Sequence, residues 1–110
     1  MTYSWEILDL FTRDVTNSDG IVLTDAVCQV VWRKVLTAED GINKSFYLSA
    51  TTVNAVETSE SDFVSYGSLS PDIVVDWIES SLTDADTAMI NKILEKNHAT
   101  KPEQKSLPWL

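Results

Sequence analysis

The chain has 110 residues, 44% of them hydrophobic, and a formal charge of −9. That length fits one domain with a modest core, and no run of about 18 apolar residues is present to form a membrane-spanning helix. The acidic balance argues against direct nucleic-acid binding, because phosphate contacts need clustered Lys and Arg.

A first strand is predicted over residues 4–13, with Trp5, Ile7, Asp9 and Phe11 on one face and Glu6, Leu8 and Leu10 on the other. Asn17-Ser18-Asp19-Gly20 is the turn, since Asp-Gly supplies the positive φ angles of a tight reversal. The second and longest strand covers residues 21–36. Val27, Val31 and Val35 line one of its faces; Cys28, Val30 and Trp32 line or flank the other, with Arg33 and Lys34 near its exit. Residues 38–43 turn the chain into a third strand over 44–56, which sets Phe46, Leu48 and Ala50 opposite Tyr47, Ser49, Thr51 and Val53. Short connections favour neighbouring strands, so the three form an antiparallel meander.

Residues 57–62 read as a polar loop, and residues 63–67 as either a short fourth edge strand or a packed connection. At Leu69 the pattern changes from alternation to helical spacing. Ser70 can cap a helix, Pro71 suits its first position, and Asp72 places a negative charge at the positive end of the dipole. The helix over residues 70–82 has the stripe Ile73, Val74, Trp77, Ile78 and Leu82, opposite Asp72, Asp76 and Glu79. A second helix starts at the cap Thr83, with Asp86 in a capping-box position. Its predicted stripe is Ala85, Met89 and Ile93, with Leu94 optional; Lys92, Lys96 and His98 favour its C-terminal end, and Asn97 can close it. The fold class is therefore α+β: a three- or four-stranded antiparallel meander, then two helices. Residues 1–98 form the domain and residues 99–110 an extended tail.

Two features exceed a bland small domain. The sheet has apolar side chains on both faces, and two helices cover only one. The other is covered either by residues 63–66 and the tail or by a partner or second copy. The tail ends in Leu107-Pro108-Trp109-Leu110, and Pro102 and Pro108 keep it from being helical. A terminal Trp docks either on its own sheet or in another chain.

Charge is uneven: residues 1–38 carry a net −2, residues 39–86 a net −9 and residues 87–110 a net +2. The acidic middle either keeps the chain soluble or meets a basic partner. Candidates for chemistry are thin. His98 is the single histidine, with no metal-ligand spacing near it; Asp72, Asp76 and Glu79 lack the Gly-containing loop of a cation site. Ser59, Ser61, Ser65 and Ser68 would have only His98 as a base, and Gly20, Gly41 and Gly67 are isolated. No enzyme activity, cofactor or metal is expected. The lone Cys28 has no internal disulfide partner and is expected as a buried, inert thiol. The start of the chain lacks the pattern of a signal peptide, which fits a reducing cytoplasm.

The motifs Tyr3-Ser4-Trp5-Glu6-Ile7, Val30-Val31-Trp32, Pro71-Asp72-Ile73-Val74-Val75-Asp76-Trp77-Ile78 and the closing Pro108-Trp109 resemble those of a family of small uncharacterised proteins of tailed bacteriophages, prominently marine cyanophages. The resemblance covers nearly the whole chain and carries no catalytic residue. It implies a phage setting, in the host cytoplasm or the virion, and no established activity. The expected function is a non-enzymatic virion component or assembly factor working by protein–protein contact. Its partners would be itself, as a homo-oligomer, or other phage or host proteins, without membrane or nucleic acid. Leu107, Pro108, Trp109 and Leu110 would anchor the contact, with the uncovered sheet face receiving them. The alternative is a host-takeover protein whose acidic face, Asp72, Asp76, Glu79, Asp84 and Asp86, binds and inhibits a basic host protein.

Overall fold

Three apolar stretches separated by turn residues pair in the order in which they are made. The computed structural model describes residues 1–99 (the side chain of residue 99 excepted) and 106–109. Strands β1 (Thr2–Thr16), β2 (Val22–Thr37) and β3 (Lys44–Thr52) form one antiparallel sheet in the order β1-β2-β3. Helices α1 (Pro71–Ser81) and α2 (Asp84–Ala99) follow. Residues 63–67 form no fourth strand; a single 3-10 turn, Tyr66–Ser68, takes their place as a packed connection.

The β1–β2 turn is organised by Asn17, which is buried. Its Oδ1 accepts the backbone N–H groups of Asp19 (3.0 Å) and Ile21 (2.9 Å), and Gly20 takes the positive φ of +78°. The sheet is not regular. Its register shifts at Leu8, at Cys28, and between the pairs Arg13–Ala26 and Val15–Leu23. These bulges correct the predicted faces, because one extra residue resets the alternation. Ile7 pairs with Trp32 and Leu10 with Val30, so Trp5, Ile7 and Leu10 share the helix side while Asp9 and Phe11 turn outward. Likewise Val27 joins Val30 and Trp32 in the core instead of siding with Val31 and Val35.

Ser70 caps α1 as expected, its Oγ accepting the Ile73 N–H, and Pro71 opens the helix. The helix begins over Ile7 and Leu10 of β1, with which Leu69, Pro71 and Val74 line an apolar notch of about 210 Å³. Its other end lies by β3, where the Ser81 hydroxyl is 3.5 Å from that of Thr51. Helix α1 thus crosses the sheet, and α2 returns along β2 and β3: Lys34 bonds Asn91, and Ser45 bonds the Leu94 carbonyl. Val74 and Ile78 of α1 and Ile90 and Leu94 of α2 close on Val30, Trp32 and Leu36. The predicted stripe of α2 is rotated by one position: Ala85 and Met89 are exposed, Ile93 is half-buried, and Ile90 and Leu94 are the buried pair. The contacts from Asn91 and Glu95 to the sheet fix that rotation.

The capping box of α2 is complete. The Thr83 N–H donates to Asp86 Oδ2 and the Asp86 N–H to Thr83 Oγ1, both at 3.0 Å. The Thr83 backbone N–H, with a smaller contribution from the Thr83 side chain, holds the Asp86 carboxyl below its usual range. A folded pKa below the unfolded one gives stability that is present above the unfolded value and lost as pH falls through the folded one. Thr83→Ala is expected to cost about 1 kcal/mol at neutral pH, as for other helix N-caps, in urea unfolding. An NMR carboxyl titration should find Asp86 moved up only part of the way, because the backbone N–H at position 83, the larger cause of the lowering, is retained.

Candidate interaction surface

The outward face of the sheet follows from the register. Pairing aligns Ser4, Val35 and Phe46, then Glu6, Arg33 and Leu48, then Asp9, Val31 and Ala50, then Phe11, Gln29 and Thr52. None of these residues belongs to the core cluster beneath the helices or packs against it, although Val35 is itself buried. Four large apolar side chains stand in the open: Leu48 is 65% exposed, Phe11 49%, Phe46 45% and Leu8, at the bulge, 42%. Glu6 and Arg33 pair at the centre at 2.5 Å, and the Arg33 guanidinium lies 4.3 Å from the centre of the Phe46 ring. Both members of the ion pair are about a third exposed, so it contributes little stability; its effect is to balance charge on an apolar surface.

Of the predicted internal cover, Phe63 packs elsewhere and the described part of the tail is exposed. Phe63 packs against Leu23, Ala26 and Ala55 at the far end of the β1–β2 hairpin. With Val27, Val53 and Trp77 it lines a cavity of about 280 Å³ on the helix side. The described tail residues 106–109 are all exposed, with Leu107 at 49% and Trp109 at 77%. Pro108 and Trp109 lie in a turn rather than continuing an extended segment. Leu110, the remaining predicted anchor, lies outside the described residues.

The acidic alternative is divided. Asp72, Asp76 and Glu79 are exposed on α1 and Asp84 is exposed at the start of α2, whereas the Asp86 carboxylate is engaged by Thr83. His98 is half-buried at the end of α2, and its Nδ1 is buried without a hydrogen-bond partner. Among the described residues no three His, Cys, Asp or Glu side chains gather as metal ligands, and no helix is long and apolar enough to cross a membrane. Cys28 is half-buried rather than fully buried, with Sγ 3.4 Å from the Phe11 carbonyl oxygen at the bulge.

Sequence reading missed Lys34. It shares the inward parity of Val30, Trp32 and Leu36, the signal that could have placed it, and is buried. Its Nζ donates to Asn91 Oδ1 at 2.7 Å and lies 4.9 Å from the ring centres of both Tyr3 and Trp5. Burial pushes its pKa down, with the charge of Glu79 acting in the opposite direction. Beside it, the Tyr3 hydroxyl donates to Glu95 Oε1 at 2.7 Å, and that bond raises the phenol's pKa. This cluster pins α2 to the sheet, so among the described residues the helices cover one side and leave Leu8, Phe11, Phe46 and Leu48 exposed.

The family described as Domain of unknown function (DUF7936) matches residues 1–109, and the chain belongs to that family. No curated protein and no solved structure matches it.

Proposed function

Starting from a family whose description assigns no activity, we propose that this chain is a non-enzymatic protein working through protein–protein contact, as a small phage virion component or assembly factor. One observation supports this reading above the others: Leu8, Phe11, Phe46 and Leu48 stand exposed around a rigid, strand-built face while Leu107 and Trp109 stand exposed on the tail. Exposed large apolar groups gathered on one face mark contact sites, and large aromatic side chains dominate their energetics. The phage setting, in host cytoplasm or virion, rests on the motif resemblance around Trp5, Trp32 and Trp77. The partners are further copies of the chain and other phage or host proteins.

Light scattering on the intact chain and on one ending at Lys101 tests the role of the tail. A defined oligomer of the intact chain is the expected result; its fall to monomer on truncation would assign the contact to the tail, and its survival would assign it to the sheet face. A monomer in both cases overturns the reading and moves attention to the exposed acids Asp72, Asp76, Glu79 and Asp84. A complex formed by those acids would weaken steeply with salt, whereas an apolar contact would not.

A further inference from the structure

We infer that the outward sheet face is a two-fold interface, in which β1 of one copy lies over β3 of a second. The inference rests on the contact reading above and identifies the occupant of that surface.

The argument is one of shape. Bulk on this face is arranged diagonally. Phe46 and Leu48 occupy the end of β3 nearest the β2–β3 turn, and Leu8 and Phe11 stand farther along β1. The other two corners hold Ser4 and Glu6 on β1, and Ala50 and Thr52 on β3. Glu6 is tied to Arg33 by the ion pair. A two-fold axis lying between two such faces, along β2, brings the same level of β1 and β3 together. Phe46 then meets Ser4 of the second copy, Leu48 meets the aliphatic stem of Glu6, Leu8 meets Ala50 and Phe11 meets Thr52. Large groups meet small ones at three of these four contacts and Leu48 meets the Glu6 stem, while along the axis Val31, Arg33 and Val35 each face their own copy, with Glu6 beside each Arg33. A two-fold operator satisfies both copies with one surface.

Charge favours the same occupant. The face carries Glu6, Asp9, Arg33 and Lys44, a net charge of zero, within a chain of −9. Two copies therefore meet at this face with little of the repulsion that residues 53–86, with eight acids and no Lys or Arg, would create. Three strands about 4.8 Å apart and nine residues of about 3.3 Å each give a face of roughly 14 by 30 Å. That is about 420 Å² per copy and about 840 Å² in total, below the standard size of stable interfaces, so a weak, concentration-dependent dimer is expected.

The test is sedimentation equilibrium on the intact chain from about 1 to 200 µM, a range set by that expectation, repeated with Leu48→Glu, Phe46→Glu and Trp109→Ala. All three positions are exposed, so circular dichroism should find each variant folded. The intact chain is expected to double in mass with concentration, and Leu48→Glu and Phe46→Glu to weaken the dimer by tenfold or more. If both face variants associate like the intact chain while Trp109→Ala dissociates, the face-to-face pairing is overturned and the contact reading stands. An intact chain that is monomeric throughout overturns the pairing and removes self-association from that reading as well.

Discussion

Trp32→Ala is expected to destabilise the fold by about 3–5 kcal/mol, the range for removing a buried aromatic. Small domains have only about 5–15 kcal/mol in total, so the variant should be close to unfolded at room temperature. Trp32 is 1% exposed at the centre of the sheet. Its ring meets Trp5 edge-on at 5.2 Å between centres and lies 6.2 Å from Tyr47, so one side chain joins all three strands. Its Nε1–H donates to Thr51 Oγ1 at 2.9 Å, beside the Ser81 hydroxyl at the end of α1. Trp32→Phe keeps most of the apolar contact but strands the Thr51 hydroxyl, and should cost about 1–3 kcal/mol. Thr51→Val in that background should cost less than it does alone, because the hydroxyl has already lost its donor; a double-mutant cycle by urea denaturation measures the difference. If Trp32→Ala costs under about 1 kcal/mol on the same scale, the core does not depend on this residue as its burial implies.

The order of elements was readable because each boundary carries local chemistry. Asp19-Gly20 makes the first turn, Ser70-Pro71 starts α1 with a side-chain cap, and Thr83 with Asp86 starts α2. The faces were less readable, because a bulge announces itself weakly. The chain around Leu8 and Cys28 contains neither Gly nor Pro, yet each takes up an extra residue and resets the alternation after it. At the third irregularity Asp25 adopts a φ of 51°, a left-handed conformation that Asp tolerates better than most residues, and its N–H is held by Asp14 Oδ1 at 3.0 Å. No periodicity rule encodes that pairing across the hairpin. The candidate surface inherits the same limit. Phe46, Leu48 and Ala50 could be assigned to one face from the sequence, since β3 is regular. Leu8 and Phe11 lie on opposite faces of an ideal strand, and the bulge at Leu8 is what brings both to the outward side. In α2, stripes at 85-89-93 and 90-94 are both helical in spacing, and contacts from Asn91 to Lys34 and from Glu95 to Tyr3 decide between them.

Asn17→Ala is the second substitution with a large expected effect, about 2–3 kcal/mol, because it removes several hydrogen bonds at a buried position. The side chain works in two directions. Its Oδ1 gathers the N–H groups of Asp19 and Ile21, which shapes the β1–β2 turn, and its Nδ2 donates to the Thr58 carbonyl at 2.9 Å, which ties that turn to the chain after β3. The neighbouring Ser18 adds two bonds to the Val56 carbonyl, from its N–H at 2.7 Å and its hydroxyl at 3.0 Å. Between these ties lies the small cluster of Leu23, Ala26 and Ala55, separate from the core under the helices. Loss of Asn17 should therefore act regionally. Hydrogen exchange should speed up at Ile21 and across residues 53–58, while amides of β2 opposite Trp5 and Ile7 keep their protection. Asn17→Asp separates the two directions: it retains the acceptor that shapes the turn but sets an oxygen against the Thr58 carbonyl. It should loosen residues 53–58 with less effect at Ile21. Uniform acceleration over the whole sheet in either variant would mean that the hairpin end and the helix-covered core unfold as one unit, contrary to the separation of the two clusters.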